Sequence, residues 1–137
     1  MAKQLPTITL LFAGGATLQT EGAKVLTVQK PDDIQPWMDH VPELSLIAKV
    51  EPVFVLPDGK EIEPEDWNKL ITIIRDRYEK SDGFVILQGV DTMLYSGAFL
   101  SFALQGLGKP VVLTGSPLTP EHSTAADLKG FISHYRT

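Results

Sequence analysis

The sequence predicts an α/β domain: a doubly wound, mainly parallel sheet with helices on both faces. Three observations carry that expectation. Short, continuous and mainly apolar runs, the first at residues 8–12, have the pattern of strands buried on both faces. Stretches with helical spacing of apolar residues alternate with them along the chain. Three of the runs end in glycine-bearing loops, Ala13-Gly14-Gly15, Gly89-Val90-Asp91 and Gly115-Ser116. Ligands of open α/β sheets bind at such carboxyl ends of strands.

Taken in order, residues 8–12 form the first strand, closed by Gly14-Gly15. Residues 19–30 are polar, contain Gly22 and hold no period, so they read as a mobile loop or loose hairpin. Asp32 or Asp33 is placed to cap a short helix running toward Met38, which Val41-Pro42-Glu43-Leu44 ends. A second strand at 50–56 closes on the turn Pro57-Asp58-Gly59. The clearest helix follows. Pro64 suits its first turn, Glu65 and Asp66 suit the positive end of its dipole, and apolar residues recur at 67, 70, 71, 74 and 78. Ser81-Asp82-Gly83 stops it, residues 84–87 form the next strand, and Asp91 or Thr92 caps a helix carrying Phe99, Leu100, Ala103, Leu104 and Leu107. Gly108 is expected to end that helix before a strand at 110–114. A last helix, capped near Ser123 or Thr124, carries Leu128, Phe131, Ile132 and Tyr135. Right-handed crossovers are expected throughout.

The 137 residues are one domain's worth, and no internal repeat divides them. A net charge of −5 without a Lys/Arg cluster argues against nucleic acid as a partner. The chain has no cysteine, which excludes disulfides, thiolate metal sites and cysteine nucleophiles together. The apolar run near the N-terminus is too short to span a bilayer and has no small-residue cleavage site behind it, so no membrane role is expected and the default location is the cytoplasm.

Little in the sequence names a reaction. Gly14-Gly15 suits either a phosphate cradle or a tight turn, but its spacing is not Gly-x-Gly-x-x-Gly and no Gly-Lys-Ser/Thr follows. No Gly-x-Ser-x-Gly elbow is present. His40, His122 and His134 share no metal-ligand spacing, so neither metal nor cofactor is expected. Trp37 and Trp67 lie on apolar helix faces and read as core. The acidic run Glu61, Glu63, Glu65 and Asp66 reads as a solvated helix start. Asp91, just past a strand end, serves equally as a helix cap or as a carboxylate facing a cleft.

Several stretches, in order, resemble the asparaginase/glutaminase family. They are the strand into the double-glycine turn (Ile8-Thr9-Leu10-Leu11-Phe12-Ala13-Gly14-Gly15), Val41-Pro42-Glu43-Leu44, Ile62-Glu63-Pro64-Glu65-Asp66-Trp67, Ser81-Asp82-Gly83-Phe84-Val85-Ile86, Gln88-Gly89-Val90-Asp91-Thr92-Met93 and Lys109-Pro110-Val111-Val112-Leu113-Thr114-Gly115. The resemblance implies the larger, amino-terminal α/β domain of a two-domain enzyme, over residues 1–137, without its last elements and without the carboxyl-terminal domain. It implies hydrolysis of a side-chain amide through an acyl-enzyme on a threonine hydroxyl, and assembly into a homodimer or higher oligomer.

The family's turn reads Thr-Gly-Gly-Thr and its first threonine is the nucleophile; the corresponding positions here are Ala13 and Ala16. The family's Gly-Thr-Asp-Thr is Gly89-Val90-Asp91-Thr92, so its threonine is Val90 and its aspartate remains as Asp91. The lysine that completes this pair is expected from a segment beyond residue 137. A serine and its neighbour that hold the substrate carboxylate correspond to Gly59 and Lys60. Losing several members of a catalytic unit costs orders of magnitude in rate.

The sequence therefore predicts an asparaginase-like domain that has lost its nucleophile. Ala13, Gly14, Gly15, Gly59, Lys60, Gly89, Val90, Asp91 and Ser116 are expected around a small amino-acid-like ligand. Asp91 would take its amino group, with backbone N–H groups of Gly14, Gly15 and Gly89 around the rest. An oligomeric interaction module is a second expectation. The alternative is an active amidohydrolase with a relocated hydroxyl, for which Thr17, Thr20 and Thr92, with Asp91, are the candidates.

Overall fold

A computed structural model describes residues 4–22 and 24–117. The expected last helix, with His122 and His134, lies outside the described residues. Four parallel strands form the sheet, β1 (Thr7–Ala13), β4 (Lys49–Leu56), β5 (Gly83–Gln88) and β6 (Val111–Thr114), in the order β4-β1-β5-β6. β1 is central: Leu11 faces Val53 on one side and Ile86 on the other. That position explains its mainly apolar middle, since a central strand of a two-faced sheet meets side chains above and below.

The alternation along β1 divides the core in two. Leu11 and Ala13 pack with Leu56, Phe84 and Ile86 beneath α3 (Pro64–Arg77) and α4 (Met93–Ala103), whose Leu70, Ile71, Ile74 and Leu100 close that side. Leu10 and Phe12 point the other way, toward Val28 and toward Ile34 and Trp37 of α1 (Ile34–Asp39). Trp37 meets the Phe12 ring edge-on at 5.1 Å and donates its indole N–H to the Ala16 carbonyl at 2.6 Å. Trp67 is half-buried, stacked on Phe99 with centroids 4.9 Å apart. Trp37 is core, as the sequence predicts, and Trp67 packs against the core from its edge.

Several local expectations change. The 19–30 segment takes the hairpin form of its two expected alternatives, with β2 (Leu18–Gln19) antiparallel to β3 (Val25–Leu26), but it is pinned by Val28, which is fully buried. A short helix α2 (Leu44–Ile47) lies where only a helix end was expected. Asp33 caps backward, accepting the N–H groups of Gln29 and Lys30, ahead of α1. The acidic run is not wholly solvated. Asp66 is buried because its carboxylate accepts the Glu63 N–H at 2.9 Å, closing the first turn of α3, with Lys69 3.4 Å away. The helix α4 ends at Ala103 rather than at Gly108, and Gly106, at φ +79°, makes the reversal that only glycine adopts freely.

Candidate functional site

The three glycine-bearing strand ends meet, together with the turn after β4. The turns are sewn to one another through the backbone. Gly15 N–H donates to the Leu87 carbonyl at 3.3 Å, Gly59 N–H to the Gly14 carbonyl at 3.3 Å, and Ser116 N–H to the Gly15 carbonyl at 2.8 Å. Glycine is dictated by space here. A Cβ on Gly15 or on Gly115 would overlap the Gln88 carbonyl, and Gly14 sits at φ +97° with the Lys60 carbonyl beside it.

Above this floor lies a cleft of about 330 Å³ lined by Gly14, Gly59, Lys60, Glu61, Gly89, Val90, Asp91, Thr92, Ser116 and Pro117. That volume is at the small end for ligand sites. Its side chains supply one ammonium, two carboxylates, the hydroxyls of Thr92 and Ser116, and the apolar surfaces of Val90 and Pro117. The lining therefore carries both signs of charge. Among the described residues, no three acidic, histidine or cysteine side chains cluster as a metal site.

Most of the predicted site residues come together in this cleft. Gly14, Gly59, Lys60, Gly89, Val90, Asp91, Thr92 and Ser116 all line it. Four do not. Ala13, the last residue of β1, points its methyl into the core under α3 and α4. Gly15 lies below the cleft floor with its N–H committed to Leu87, so it offers no donor to a ligand. Thr17 is buried, and its hydroxyl donates to the Asp58 carboxylate at 3.1 Å. Thr20 belongs to the hairpin, where its hydroxyl donates to the Lys24 carbonyl and it borders a separate hollow with His40 and Val41.

Two buried polar residues beneath the cleft went unread in the sequence. Asp58 has its carboxylate turned inward, accepting N–H from Ala16 at 3.0 Å and from Val28 at 2.9 Å, besides the Thr17 hydroxyl. It thereby ties the glycine turn, the segment after the hairpin and the β4 turn into one piece. Burial pushes this carboxyl above its ordinary range, against the three hydrogen bonds that pull it down; the charge of Asp33 adds slightly to the rise. The sequence signal was the turn Pro57-Asp58-Gly59, which an exposed aspartate satisfies equally.

Gln88, the last residue of β5, is fully buried. Its amide N–H₂ donates to the Ser96 hydroxyl at 2.6 Å and to the Thr92 hydroxyl at 3.2 Å, and Trp67 donates to the same Ser96 oxygen at 2.8 Å. The Gln88 Oε1 has no hydrogen-bond partner among the described residues. Thr92 stands at the start of α4, but its oxygen receives Gln88 instead of capping the helix. A polar residue closing the apolar run 84–87 was the available signal.

An open parallel sheet whose strand-end loops enclose a small polar cleft defines the class: an open α/β domain, the architecture whose ligand sites lie at the carboxyl edge of the strands. Comparison with known proteins gives the family. Residues 7–132 match the family model described as "Asparaginase, N-terminal". The chain is 49% identical over 63 residues to L-asparaginase 1 of Escherichia coli K12, covering 46% of this chain and 19% of that protein. It is 33% identical over 129 residues to the probable periplasmic L-asparaginase of Haemophilus influenzae, covering 92% of this chain and 36% of that one. The solved L-asparaginase I of Vibrio cholerae superposes with a TM-score of 0.67 at 31% identity, over 84% of this chain and 35% of that chain. The chain belongs to the asparaginase family and corresponds to its amino-terminal domain. It spans about a fifth to just over a third of the length of these relatives.

Proposed function

We propose that this chain is an asparaginase-family domain that holds a small amino-acid-like zwitterion in its strand-end cleft without hydrolysing it. The observation that carries this reading is the division at the glycine turn. The binding charges, Lys60 and Asp91, line the cleft, whereas the position of the family's nucleophile is Ala13, buried in the core below. Asp91 takes the ligand's ammonium group and Lys60 its carboxylate. Titration calorimetry with glycine, L-asparagine, L-aspartate and L-valine tests it, alongside an ammonia-release assay. Binding of at least one of them, weakened about tenfold or more by Asp91→Ala, is expected, with no ammonia from L-asparagine. Silence from all four, or indifference to Asp91→Ala, would falsify the binding reading.

A second reading has one hydroxyl in its favour. Of the three relocated candidates only Thr92 lines the cleft, and its oxygen is already held by the Gln88 amide. Ammonia release that vanishes in Thr92→Ala would replace the first reading with this one.

Self-association has separate support. The outer face of α4 exposes Leu94, Tyr95 and Phe102, and residues 93–108 contain no charged side chain. A helix apolar all round is usually covered on every side. We propose a second copy as the cover, and sedimentation of the wild type against Phe102→Lys measures it.

A further inference from the structure

We infer that the cleft selects a zwitterion with a short, apolar side chain over one bearing an amide or a carboxylate, and that Val90 sets this preference. The inference rests on the zwitterion reading above and sharpens it to a ligand class.

Val90 opens the single 3₁₀ turn between β5 and α4, directly after Gly89. It is 44% exposed and belongs to neither half of the core. A β-branched aliphatic residue has no conformational advantage in such a turn, and no packing in the described structure requires it there. What it does contact is the cleft, where it and Pro117 are the apolar lining among Lys60, Glu61 and Asp91.

The charges are then allotted. Asp91 and Lys60 answer the ammonium and carboxylate shared by every amino acid. The remaining carboxylate, Glu61, repels a ligand with an acidic side chain. Thr92 already accepts a hydrogen bond from Gln88, so a ligand amide finds one of its oxygen's acceptor sites occupied. With its two charges at Asp91 and Lys60, the ligand lays its side chain against the apolar surface of Val90 and Pro117, beside the hydroxyls of Thr92 and Ser116. Each methylene sheltered there tightens binding about fourfold. An amide pressed against the same surface leaves its water without a replacement and loses about tenfold or more.

Calorimetry on the full chain with glycine, L-valine and L-asparagine separates the outcomes. L-valine is expected to bind about tenfold tighter than either of the others. Val90→Thr should bring L-valine and L-asparagine to within about threefold of each other while leaving glycine within about twofold of wild type. Val90→Ala should lower the L-valine affinity alone, which serves if the threonine variant is unstable. L-asparagine binding as tightly as L-valine, or a ratio unmoved by both variants, overturns the preference and leaves the zwitterion reading standing. No heat with any of the three overturns the preference, and silence from L-aspartate as well overturns both.

Discussion

Asp58 shows how much one side chain fixes. Its carboxylate accepts three hydrogen bonds from three separate segments, and an amide cannot imitate it, because an N–H would face an N–H or a hydroxyl proton. Asp58→Asn is expected to cost about 1–3 kcal/mol in urea unfolding. The pH dependence has a definite sign. A carboxyl raised in the folded state binds its proton more tightly there than in the unfolded chain. Its contribution is therefore fully present below the ordinary carboxyl range and is lost as pH rises through the raised folded value. Stability of the wild type relative to Asp58→Asn should fall across that interval and then level off; a relative rise would contradict the burial argument. The glycines make a harsher case. Gly15→Ala forces a methyl into the Gln88 backbone and should cost about 3 kcal/mol or more, read as a lowered Tm. At this scale the sequence was half legible. The residues on the cleft wall could be listed from their place after strands, but burial of Asp58, Gln88 and Thr17 depends on which turn lands on which, and spacing along a chain does not contain that.

Among the elements, α3 and α4 contrast instructively. The apolar residues of α3 keep helical spacing, and those that face the sheet, Leu70, Ile71 and Ile74, are the ones buried. Leu70→Ala is expected to cost about 2–5 kcal/mol. In α4 the apolar residues run around the whole cylinder, so periodicity gives the helix but not its buried side. Leu100 is buried and Phe102 is 77% exposed, two residues apart. Phe102→Lys should change monomer stability by no more than about 0.5 kcal/mol while reducing association in sedimentation. A loss of several kcal/mol instead would mean that Phe102 packs within its own chain. The end of α4 differs from expectation for a related reason: Gly106 and Gly108 both suit a reversal, and the chain turns at the first.

For the whole molecule, the topology makes the sheet a non-local object. β1 needs β4 and β5 as partners, with Thr9 opposite Glu51 and Phe84. A fragment ending at residue 77 leaves β1 unpaired on one side, and it should lack the near-ultraviolet circular dichroism of the intact chain. Fold class and helices on both faces were legible because alternation of apolar runs with amphipathic stretches encodes layers directly. Strand order was not predicted at all, since pairing partners are chosen in space.

The backbone seams among Gly14, Gly15, Gly59 and Ser116 carry one more consequence. They form the cavity's floor from main chain alone, while the reagents hang from its rim as side chains. Form and chemistry are thus held by different atoms. Exchanging Val90 for threonine is therefore expected to alter what the vessel holds without altering its shape, because no part of the floor depends on that side chain.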